Sequence, residues 1–150
     1  MKKLLSILGT IGLTATSTTT LISCDKPNNK NIPCEKQDHG NWKQQCYNDS
    51  SFNDIDNKYY IVIWKGLNLE KWNIVKFNNN NEKIEIQIDS GQELWKFDKQ
   101  LMLDVGKGII LWNNDSTGKI FKSVYRWNGD TEPQIPEIDK NTGKITDWKE

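Results

Sequence analysis

Apolar and polar positions alternate with different periods along this chain. Leu4, Leu5, Ile7, Leu8, Ile11 and Leu13 follow Lys2 and Lys3, broken only by Gly and small residues. That stretch of about ten residues matches the apolar region of a secretory signal, about 7–15 residues. It is short of the roughly 20 that a spanning helix needs. Residues 25–57 are rich in Asn, Asp, Lys, Gln and Pro, with few apolar positions. Such a segment buries too little apolar surface to offset its ordering entropy, so it reads as a polar tether, with a short helix around residues 41–47. At Tyr59 the texture changes. Tyr59, Tyr60, Ile61, Val62, Ile63 and Trp64 are aromatic or β-branched on both parities, as a strand covered on both faces requires. A second strand is expected over 71–77. Ile84, Ile86 and Ile88 alternate with charged and polar residues, which predicts a half-buried strand. The Asn run at 78–81 between these two predicts a hairpin.

Residues 90–105 admit two readings. Ser90 with Glu93 fits a capping box, and Leu94, Phe97, Leu101 and Val105 recur at helical spacing before Gly106, so one helix is favoured. Two short strands are the alternative. Residues 108–113 and 119–127 read as two strands of a hairpin turned at 114–118, with Gly118 supplying a positive φ. A similar turn sequence recurs at 139–145, too short to mark a structural repeat. Pro133 and Pro136 give residues 129–150 the look of an extended tail, ending in a small hairpin over 138–148. The expected fold is mainly β: a small antiparallel sheet of hairpins over 58–128, with one packed helix if 90–105 is helical.

Leu21-Ile22-Ser23-Cys24 closes the apolar leader. It resembles the lipobox of bacterial lipoproteins. The resemblance implies cleavage of residues 1–23, a diacylglyceryl group on Cys24, and a mature chain held at the outer face of a cell membrane. Two acyl chains anchor stably where one holds marginally. The chain has a single Arg, Arg126, among its 20 basic residues, and abundant Asn. With this leader it is similar to small surface lipoproteins of mollicutes of the spiroplasma type.

Charge narrows the partners. Beyond residue 23 the chain carries 18 basic and 20 acidic residues. It lacks the positive excess on which non-specific nucleic-acid binding draws. With Cys24 lipidated, Cys34 and Cys46 remain. An even pair outside the cell reads as a disulfide around His39, Gly40 and Trp42, with free thiols as the other reading. A metal site from Cys34, His39 and Cys46 would lack a fourth ligand.

His39 is the one histidine and falls in the tether, away from any nucleophile a catalytic arrangement would need. Neither a phosphate loop nor a calcium loop is present. No cofactor, metal or enzymatic activity is expected. Of the seven Trp, Trp64, Trp72, Trp95, Trp112 and Trp127 fall in expected core elements. Trp42 and Trp148 lie outside them and are the candidate exposed binding aromatics. The leading expectation is adhesion or host contact, with a host protein or glycan as partner. An accessory scaffold subunit of a membrane complex comes second and a glycan-acting hydrolase third.

Overall fold

The computed structural model describes residues 34–88, 90–115 and 117–150. The signal segment and Cys24 lie outside them. The described residues fall in one compact unit, Cys34–Glu150. Its strands are β1 (Trp42–Gln45), β2 (Tyr59–Trp64), β3 (Asn73–Asn78), β4 (Ile84–Ile86), β5 (Glu93–Phe97), β6 (Gln100–Asp104), β7 (Ile109–Leu111), β8 (Phe121–Trp127), β9 (Glu137–Ile138) and β10 (Ile145–Asp147). They form two four-stranded sheets, β1-β8-β2-β3 and β4-β5-β6-β7, and a separate β9–β10 pair. All pairings are antiparallel. The fold is mainly β.

The two large sheets share one core. Tyr60, Val62, Trp64 and Val124 from the first meet Ile86, Leu94, Leu101 and Leu103 from the second. The opposite face of the first sheet presents Trp42, Ile61, Ile63, Tyr125 and Trp127, and Ile138, Ile145 and Trp148 pack on it. β2 is therefore covered on both faces, as its unbroken apolar run demands.

Four expectations are corrected. First, residues 90–105 form a hairpin of β5 and β6, not a helix. Leu94, Leu101 and Leu103 are fully buried while Glu93 and Phe97 are exposed, so a period of two prevails. Asp98 and Lys99 both take left-handed φ, 50° and 68°, which a two-residue primed turn requires. Gly106 serves the next turn, where Val105 N–H donates to Gly108 O at 3.0 Å. Second, neither expected neighbouring hairpin forms. β3 pairs with β2, and β4 with β5. β7 pairs with β6, and β8 lies between β1 and β2. Both intervening loops carry the chain from one sheet to the other. At the second, the Asp115 carboxylate accepts from the N–H groups of Lys119, Ile120 and Phe121 at 3.1, 2.8 and 2.6 Å.

Third, residues 34–57 belong to the folded unit. Residues 42–45, in place of the expected short helix, are strand β1 at the edge of the first sheet. Phe52 enters the core at 3% exposure. Cys34 and Cys46 are joined by a disulfide, Cα–Cα 5.8 Å, a closure worth about 3 kcal/mol in the chain-entropy model. Fourth, residues 129–150 are not a free tail. Trp127 Nε1 donates to Thr131 O at 2.7 Å. Lys76 Nζ bonds Glu132 Oε1 at 2.6 Å and Pro133 O at 2.8 Å. Trp72 N–H donates to Lys140 O at 2.8 Å.

The packed tail sets the two glycine turns apart. Gly118 has φ +67° with its nearest foreign atom, Phe121 O, 3.7 Å from where a Cβ would stand. Gly143 has φ +74°, and its Cβ would meet Lys122 Cδ at 2.5 Å and the Trp72 ring at 3.0 Å. Gly118→Val should cost about 1–2 kcal/mol from backbone strain alone, and Gly118→Asn less. Gly143→Val adds overpacking to the same strain and should cost roughly 3 kcal/mol. Chemical denaturation ranks the variants. Equal losses at Gly118 and Gly143 would contradict the packed tail.

Candidate functional site

The structure separates the two aromatic candidates. Trp42 is fully buried, so its expected exposure is corrected. Its register partner across β1 and β8 is Trp127, with ring centroids 4.9 Å apart. A large aromatic on a sheet face that is itself covered goes inside, whatever the polarity of its sequence neighbours. Trp148 is half-buried. It stacks on His39 at 4.5 Å and 5° and meets Tyr125 nearly edge-on at 5.1 Å. His39, exposed and placed in the expected tether, pairs its backbone with Trp42 and brings Nε2 to 3.5 Å from Glu150 Oε2. Beside Trp148 runs a groove of about 490 Å³. Among the described residues no group of three or more His, Cys, Asp and Glu is placed to hold a metal ion.

A second concavity, about 410 Å³, lies between residues 52–55 and the β5–β6 turn. Its floor is Phe52, whose ring packs on Tyr60, Phe77 and Trp112. Ile55 and Phe97 line it while remaining 45% and 46% exposed. Phe97 ends up outside because it stands at the last position of β5, on the parity opposite buried Lys96. The charged residues of this concavity are Asp54, Glu82, Lys96, Asp98 and Lys99.

Lys96 is only 2% exposed. Its Nζ donates to Asn81 O at 2.8 Å. Burial pushes its ammonium below its ordinary pKa, while the negative charges of Glu82 and Asp56 oppose that shift.

A more polar cleft shares Asp54 with this concavity and reaches Asp56, Tyr60 and Arg126. Asp56 organises it. Its Oδ2 accepts from Tyr60 OH at 2.8 Å and Arg126 Nε at 2.9 Å. Its Oδ1 accepts from Lys58 N–H at 3.0 Å and Asn79 Nδ2 at 3.1 Å. Burial works against the charged carboxylate, but these bonds, that from Arg126 foremost, outweigh it and hold its pKa below the ordinary value. Tyr60 is pushed up, first by burial and then by its bond to Asp56. An ionised, fully engaged carboxylate fixes the wall of the cleft and is poorly suited to act as a proton donor at neutral pH. The sequence signal for this cluster was the lone Arg in a chain of Lys, since Arg suits a fixed bonding geometry. The cavity at Phe97 gave no sequence signal, because the turn that builds it was read as helix.

Residues 17–150 match the Spiroplasma phage ORF1-like family. The chain belongs to that family. It is 36% identical over 124 residues to the ORF1 protein of Spiroplasma virus SpV1-R8A2 B, a match covering 83% of this chain and 14% of that protein. It is 32% identical over 91 residues to the ORF1 protein of Spiroplasma virus SpV1-C74, covering 49% of this chain and 12% of that protein. The chain thus spans less than a sixth of either relative. No solved structure matches. The organisms of the relatives agree with the spiroplasma-type resemblance of the sequence.

Proposed function

We propose that the chain is a membrane-tethered binding module that captures a protein partner at the cavity between Ile55 and Phe97. The observation that carries this reading is the pairing of two exposed apolar side chains over an aromatic floor. Exposed Ile and Phe are unremarkable singly, but together around a concavity they form the apolar centre of a contact. Charged Asp54, Glu82, Asp98 and Lys99 supply the polar rim that such centres have. The mixed signs of that rim favour a partner matched in charge over a generally apolar one.

Anchoring is the second half of the proposal. The leader ends in a lipobox-like Leu21–Cys24, and the family match, beginning at residue 17, includes it. In this reading Cys24 carries the diacylglyceryl group and the unit starting at Cys34 stands just outside the membrane. The relatives hold the matching stretch within much longer viral proteins, which suits a binding module. No catalytic step belongs to the reading.

The experiment is binding of labelled Cys34–Glu150 to spiroplasma cells. Phe97→Asp and Ile55→Asp should each weaken binding about tenfold, the effect of losing roughly 1.4 kcal/mol, with unchanged unfolding midpoints. Stripping surface proteins with protease should abolish it. In the parent chain, Cys24→Ser should end lipid labelling and membrane retention. Wild-type binding by both aspartate variants would overturn the proposed surface, and unchanged labelling of the serine variant would overturn the anchor.

A further inference from the structure

The groove beside Trp148 is separate from the cavity at Phe97 and is built from different elements. Glu35, Gln37, Gln44, Ser123, Lys144 and Trp148 line it. We propose that this groove is a glycan-binding site that prefers a chain of acidic sugars.

Three features carry the assignment. The first is the combination of surfaces. Trp148, half-buried, offers apolar ring area of the kind that sugar C–H faces pack on and has a polar tip, while buried Tyr125 backs it. Around them stand amide, hydroxyl and charged side chains, the mixed donors and acceptors that sugar hydroxyls need. The second is unspent bonding capacity. Gln44 Oε1 accepts from Gln37 N–H at 2.7 Å, which leaves the Gln44 amide Nε2 as a donor. Among the described residues, the Gln44 Nε2, the Lys144 ammonium and the Glu35 carboxylate have no hydrogen-bond partner. The third is preorganisation. Trp148 is clamped by His39 and Tyr125. The Cys34–Cys46 disulfide fixes the start of the segment that carries Glu35 and Gln37. Gln44 N–H is held by Asp38 Oδ1 at 3.0 Å. Less ordering remains to be done on binding.

The charge of the lining sets the preference. In the lining itself two ammonium groups, Lys122 and Lys144, outnumber one carboxylate, Glu35, with Asp38 at its edge beside Tyr125 and Gln44, and the excess of ammonium groups in the lining disfavours cationic sugars.

The test titrates Cys34–Glu150 with three oligosaccharides: oligogalacturonate, cellohexaose and chitosan hexamer. NMR follows the Trp148 indole and Gln44 side-chain signals. Saturable shifts at both, strongest for oligogalacturonate and weakest for the chitosan hexamer, are expected. Lys144→Glu should reverse the order of the charged sugars. Gln44→Ala and Trp148→Ala should weaken oligogalacturonate binding about tenfold. Lys144 is exposed, so its variant folds even if the Trp148 variant does not. Phe97→Asp should leave the titration unchanged, which keeps this result independent of the partner cavity. No saturable binding of any of the three sugars at millimolar concentration would overturn the proposal, as would an order of affinities unaffected by Lys144→Glu.

Discussion

Trp42→Ala is expected to destabilise the folded unit by about 3–5 kcal/mol, the usual cost of emptying a large aromatic site in a core. Trp42 has no exposed surface. It fills the layer between β1 and the β9–β10 pair, against Trp127 and within reach of Ile61, Ile63 and Tyr125. A loss this large would consume much of the 5–15 kcal/mol available to a domain. A chain shortened to start at residue 58 should do worse. It lacks β1, the Cys34–Cys46 closure, core residue Phe52 and the Asp56 cluster. Its urea unfolding should show no cooperative transition, whereas Cys34–Glu150 should show one. Cooperative unfolding of the shortened chain at the same midpoint would return residues 34–57 to the status of a tether.

Asp56→Ala should cost roughly 3 kcal/mol at neutral pH. The change strands the Arg126 guanidinium and removes acceptors from Tyr60 OH, Asn79 Nδ2 and Lys58 N–H. Breaking one partner out of this partly buried network leaves unpaired polar groups behind. The pH dependence has a definite sign. The carboxyl is held below its ordinary value of 3.8 in the folded protein. Its contribution is therefore complete above that value and lost as pH falls through the depressed one. The stability gap between wild type and Asp56→Asn should hold constant from neutral pH down to about pH 4 and close below it. A gap that instead narrows as pH rises from 6 to 8 would show that Asp56 is not the ionised centre of the cluster.

The elements legible in the sequence were those whose pattern and environment agree. β2 shows apolar residues on both parities because two layers cover it. β4 alternates because one face is wet. The kind of fold followed from these strands and from the turn residues. What could not be read was partnership. The loops at 78–81 and 114–118 resemble hairpin turns in composition, but they carry the chain between sheets, and the same polar residues serve both purposes. At 114–118 the deciding interaction is the Asp115 carboxylate gathering three N–H groups, which no period reveals.

Residues 90–105 misled because their leucines satisfy helical and alternating spacing together. The primed turn at Asp98 and Lys99 lacks the Gly or Asn that marks such turns. Trp42 and Phe52 were hidden by polar neighbours: a four-residue edge strand needs only one deep anchor. The candidate sites inherit these gaps. Trp148 was legible as an unassigned aromatic outside the main strands. The cavity at Phe97 was not, since it exists only where the β5–β6 turn meets the loop carrying Phe52 and Ile55.

The central claim is that a partner protein seats on the cavity between Ile55 and Phe97. Site-specific photo-crosslinking tests it most directly. A photoreactive phenylalanine analogue at position 97 should capture one defined spiroplasma surface protein, and the Ile55→Asp change should suppress that capture. The same analogue at position 107, an exposed site in the turn at the opposite end of the β5–β6 hairpin, should capture nothing comparable. Equal capture from positions 97 and 107, or capture from 97 indifferent to Ile55→Asp, would contradict the account.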